Sequence, residues 1–256
     1  VYSIVSGLAE LTLRARRVPA WSKRSPIYAG LAAAVLVAVA GNIDGLLQLL
    51  QGASRVFFQD GMFGEFDFWR SSRMMEPDTG ANEITEFPYF TFLFADLHAH
   101  LIAIPVAITA FAATIAAYLR IGRRRPWTES LAGLFVIGVL VGSLRTINAW
   151  DFPTQLMLAG AFLMGGHLLT SGRTLIDRLV VGVVSTVFVV VVGQLVYLPF
   201  HVNFELFNDG VIKSQFRTDL WRYVVIHSIF LLLVVSWIVF MLRERLPGVL
   251  AALASG

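Results

Sequence analysis

The chain has 256 residues, 57% of them hydrophobic and only 14% charged, with a net charge of +3 and no cysteine. Soluble domains are about 45–50% apolar and about 25% charged, so the composition excludes an ordinary soluble enzyme and points to the membrane. The absence of Cys excludes a disulfide framework and a thiolate metal site, and basic residues held in short clusters argue against nucleic acid as a partner.

The chain opens on VYSIVSGLAELTLRARR, an amphipathic pattern that fits a helix on the inner membrane surface or the tail of an earlier span. Residues 1–25 are read as this cytoplasmic or interfacial segment. A spanning helix needs about 20 mostly apolar residues to cross a core of about 30 Å. Six stretches qualify, roughly Ile27–Leu50, Leu101–Leu119, Ser130–Leu144, Thr154–Thr170, Leu179–Leu198 and Trp221–Leu242. Trp127 and Trp150 are interface anchors for the third and fourth, the shortest two. None of the runs alternates with period two, and backbone polar groups cannot stay unpaired in lipid. The expected fold is therefore all-α: a polytopic protein of about six transmembrane helices, one membrane domain over residues 1–256. The start at Val1 and the apolar ending ALASG read as a fragment of a longer architecture.

Placing the N-terminus in the cytoplasm sorts the charges. Arg14, Arg16, Arg17, Lys23 and Arg24 fall inside, as do Arg120 and Arg123–Arg125, Arg173 and Arg178, and Arg243 and Arg245. No outer connection has more Lys and Arg than Asp and Glu. The positive-inside rule is met throughout, which predicts a multi-pass protein of the cell membrane with both termini cytoplasmic.

The long connection over residues 51–100 falls outside. It holds eight acidic residues from Asp60 to Asp96 among many aromatics, including Phe57, Phe58, Phe63 and Trp69. So apolar a loop is expected to be structured, as interfacial helices on the outer surface. An aromatic belt explains the phenylalanines but not the carboxylates among them.

The sharpest stretch is TEFPYFTFLFADLHAH, directly before an uncharged run. Asp96 and His100 share a face if helical; Asp96, His98 and His100 share one if extended. Either geometry supplies two ligands to a divalent ion such as Mn²⁺, Mg²⁺ or Zn²⁺, and Pro105 frees the carbonyl of Leu101 nearby. Helix capping by Asp96 with interfacial histidines is the plainer alternative. Asp44, in GNIDG, lies about 26 Å along the first stretch, where a carboxylate needs a partner or a wet cavity. Arg145, Asn148 and Asp151 sit in LRTINAWDFP at an outer helix end, and an Asp44–Arg145 ion pair is one way to satisfy both. His201 adds a polar group on the same face, while His167 and His227 read as structural.

GNIDG, FDFWRSSRM, ITEFPYFTFLFADLHAH and LRTINAWDFPT together resemble the motifs of the YYY-domain membrane proteins, a polytopic family of unknown function. The likeness covers most of Gly41–Pro153. The naming tyrosine triplet is absent, and Thr85 stands where the family usually has an amide. That family is more remotely similar to the GT-C membrane glycosyltransferases. The likeness implies a lipid-linked sugar donor at the outer face, with the alternative of a non-catalytic scaffold or accessory subunit among other membrane subunits. On that likeness Glu86 or Asp96 is the base, and Arg70, Arg73 and Arg145 face the lipid phosphate. Asp96, His98 and His100 hold the cation, with Asp44, Asn148 and Asp151 in support.

Overall fold

The computed structural model describes residues 1–16, 24–74, 84–95, 97–123, 126–170, 172, 174–205 and 217–254, and among these it is helical with no strand. They divide into two compact units, each considered by itself, with the N-terminal helix α1 (Tyr2–Arg16) shared between them.

One unit is a helical bundle of α5 (Ala99–Arg120), α6 (Trp127–Ile147), α7 (Asp151–Leu168), α8 (Leu175–Val196) and the short α9 (Leu198–Asn203). Short connections make consecutive long helices antiparallel. Both α6 and α7 pack on α5 and α8, around a core of Ala110, Ile137, Val141, Ala159, Leu163 and Val189. Lipid gives helices no hydrophobic reason to associate, so close approach of backbones over small residues does the work. A Cβ on Gly142 would stand 2.6 Å from the Gly193 Cα, so α6 and α8 touch backbone to backbone there. This alternation puts the N-terminal ends of α5 and α7, the C-terminal ends of α6 and α8, and α9 at one end of the bundle.

The other unit contains α2 (Ser25–Val39), α3 (Asp44–Phe58), a 3₁₀ turn at Arg70–Ser72, α4 (Pro88–Phe94) and α10 (Leu220–Ala254). Helix α2 packs on α4. The Tyr89 ring fills the space beside Gly41, where a Cβ would lie 2.5 Å from it. Phe87 stacks on Phe230 at 6.0 Å, and the Ile43 N–H donates to the Val225 carbonyl of α10 at 3.3 Å.

The all-α membrane fold is as expected, but the span count differs. Among the described residues, four helices are long and apolar enough to cross a membrane: α5, α6, α8 and Leu220–Arg243 of α10. The stretch Ile27–Leu50 is not one helix. It breaks between Ala40 and Ile43, and α3 leaves α2 at 76°, so the pair makes at most a fifth span. The stretch Thr154–Thr170 becomes α7, which runs the length of the bundle between α6 and α8 but carries Asp151, Thr154 and Gln155 in its first turns and is less apolar than the four.

Candidate functional site

The break at Gly41 turns Asp44 inward. Its carboxylate is 3% exposed and opens α3, with its own N–H donating to the Asn42 Oδ1 at 3.1 Å. Gln48, one turn on, donates to the Asp44 Oδ2 at 2.8 Å and exchanges two hydrogen bonds with the backbone of Asp67. Arg70 completes the cluster. Its Nε and Nη2 donate to the Asp44 Oδ1 at 2.9 and 2.7 Å. Hydrogen bonding to Asp44 raises the Arg70 pKa against the opposing pull of burial, so the guanidinium stays charged. Arg70 thus satisfies Asp44, a role for which Arg145 was one alternative.

A second pair lies beside the first. Arg73 donates to the Glu86 Oε1 at 2.8 Å and stands 5.7 Å over the Trp69 ring. The Glu86 side chain is 5% exposed. Thr85, where an amide was expected, keeps its contacts: its Oγ1 accepts from the Met74 N–H and donates to the Ser71 carbonyl, at 3.1 and 3.3 Å. Asn42 donates to that same carbonyl at 2.6 Å, and Tyr89 donates to the Ser71 Oγ at 3.1 Å. The loop is therefore folded by polar contacts laid over an aromatic cluster of Trp69, Phe90 and Phe94.

Arg70 also faces outward. It borders a polar recess of about 160 Å³, with Gln51, Arg55, Glu65 and Asp67 among its lining. The Asp67 Oδ1 accepts from the N–H groups of Trp69 and Arg70, and Arg55 donates to the Phe63 carbonyl.

In the helical bundle, Arg145, Asn148, Asp151, His98 and His100 all lie at one end. Arg145 donates to the Gln194 Oε1 at 3.1 Å, and Asn148 donates to the Asp151 Oδ2 at 3.0 Å across the α6–α7 turn. The rings of His98 and His100 are 5.4 Å apart. Among the described residues no three His, Asp or Glu gather as a metal site. Asp96, the expected third ligand, lies outside the described residues. At His201 both ring nitrogens are buried without a partner among the described residues. Burial pushes its pKa below the ordinary range, and the charge of Arg145 acts the same way.

The profile of a family described as "Uncharacterized membrane protein (DUF2298)" matches residues 1–255. This chain belongs to the DUF2298 family. No curated protein and no solved structure matches it. The resemblance to a polytopic membrane family of unknown function therefore holds at that level.

In this DUF2298 chain the sequence reading singled out Asp44, Arg70, Arg73 and Glu86, and the fold joins them into two adjacent ion pairs. It missed Gln48, Arg55, Glu65 and Asp67. Asp44, Gln48, Gln51 and Arg55 recur at helical spacing, which is a readable polar face once α3 is separated from α2. Assigning Asp44–Leu50 to a spanning helix hid that face.

Proposed function

We propose that this chain binds the phosphate of a membrane lipid in the recess beside α3 and transfers the sugar carried by that phosphate to an acceptor at the outer membrane face. The observation that supports this most is Arg70. Buried Asp44 fixes its guanidinium in orientation at the edge of a polar recess. A rigid, permanently charged fork is well suited to phosphate, and being preorganised it stabilises charge as that charge develops.

The step is a displacement at the sugar's anomeric carbon. The acceptor oxygen forms the new bond, the bond to the phosphate oxygen breaks, and the lipid phosphate leaves with the electron pair. Arg70 and Arg55 offset the added negative charge. The acceptor's proton passes to a carboxylate, for which exposed Glu65 is better placed than Glu86, because Arg73 already neutralises Glu86. A divalent cation would be held with the help of His98 and His100 at the end of the helical bundle.

Lipid extracted from purified protein tests the reading. Wild type should retain a phosphate-bearing lipid, detected by mass spectrometry. Arg55→Ala, outside the buried network, should retain several-fold less, and Glu65→Gln should keep the lipid with its sugar uncleaved. Metal analysis should show a bound ion that His98→Ala loses. Equal lipid content in all variants would remove the transferase reading and leave a scaffold or accessory subunit.

A further inference from the structure

We infer that α3 does not cross the membrane but lies along its surface, with one side in the acyl chains and the other forming a wall of the Arg70 recess. The partner is the bilayer itself. The inference stands without the transfer reaction proposed above.

The first observation is an inverted amphipathic pattern. Leu46, Leu49, Leu50, Val56 and Phe57 share one face and are all exposed, Phe57 at 77%. Asp44, Gln48 and Gly52, at intervals of four, are all buried. A helix in water would turn these faces round, because exposing five large apolar side chains on one stripe while burying a carboxylate is unfavourable. Lipid around the stripe removes the contradiction. Phe58 and Met62 extend the exposed surface past the helix end.

The second observation is direction. Fifteen residues of α2 rise about 22 Å. After a 76° turn, the fifteen residues of α3 add only about 5 Å along the same axis. Nearly all of its length runs sideways.

The third is depth. The Ile43 N–H bonds to the Val225 carbonyl, and Val225 lies five residues into the apolar stretch that starts at Leu220. That places the start of α3 about 8 Å from the end of a spanning segment, near the boundary between acyl chains and headgroups. Arg55 and Gln51, on the polar side, then face the headgroup layer, and the recess they line opens at the level of lipid phosphates.

The chain has no cysteine, so single cysteines can carry spin labels without background. Labels at Leu46, Leu49, Leu50 and Phe57, and at Gln51 and Arg55, are read in lipid nanodiscs by collision with oxygen and with a water-soluble nickel chelate. Each variant is accepted only if it runs as a single species on gel filtration. The stripe positions should favour oxygen by several-fold and the polar positions nickel, repeating every 3.6 residues with no trend along the helix. Depth that changes steadily by about 1.5 Å per residue would show a crossing helix and overturn the inference. So would stripe positions shielded from both reagents, which would mean that protein rather than lipid covers them. Neither reading depends on lipid retention by Arg55, so failure here is distinct from failure of the proposed reaction.

Discussion

Arg70 grips Asp44 through two nitrogens, Nε and Nη2, at 2.9 and 2.7 Å from a single oxygen. The pair ties the start of α3 to a turn 26 residues later, so the fold of the segment between them depends on it. Removing one partner of a buried pair leaves a charge unsatisfied. Asp44→Ala should destabilise the protein by about 2–4 kcal/mol, less than for a fully buried pair because Arg70 remains 40% exposed. Asp44→Asn, which keeps an oxygen for Gln48, should cost less. Thermal unfolding in a mild detergent gives the order, and equal midpoints would show that the pair contributes nothing.

The contact of α6 with α8 gives a steric test. Gly142→Ala would drive its methyl into the Gly193 backbone and should cost about 1–3 kcal/mol. Gly133→Ala and Gly165→Ala meet nothing within 4 Å and should be neutral or gain up to about 1 kcal/mol from helix propensity. An unfolding midpoint for Gly142→Ala matching the other two would mean that the close approach is not made.

His201 sets a pH dependence. Its folded-state pKa lies below the unfolded value of about 6.5, so the unfolded chain binds the proton more readily. The stabilising contribution of the neutral imidazole is complete above about pH 6.5 and is lost as pH falls towards and through the folded pKa. Arg145, the charged group near it, deepens the effect. Unfolding midpoints measured from pH 7.5 to 4.5 should fall less steeply in His201→Gln than in wild type. Parallel curves would contradict the assignment.

Sidedness follows from charge. Single cysteines replacing Ala149 and Arg123, probed in intact cells with an impermeant maleimide, should label at 149 and not at 123. The reverse pattern would invert the topology.

The all-helical membrane fold was determined by the sequence alone, because lipid leaves a long apolar run no other way to satisfy its backbone. Asp44 was legible too, since a charged group within an apolar stretch stands out by its cost, and Arg70, Arg73 and Glu86 were named through the family resemblance. Their partners were not legible. Arg145, another charge near a helix end, was one candidate partner for Asp44, yet Arg70 is the residue that reaches it. Ion pairing depends on a few ångströms of position, and the break at Gly41 sets that position. An apolar count over Ile27–Leu50 cannot register a 76° turn, because Leu46, Leu49 and Leu50 are equally apolar whether they cross the bilayer or lie on it. Only the tertiary structure, through Tyr89 packed at Gly41 and Ile43 bonded to α10, shows the turn that parts α3 from α2.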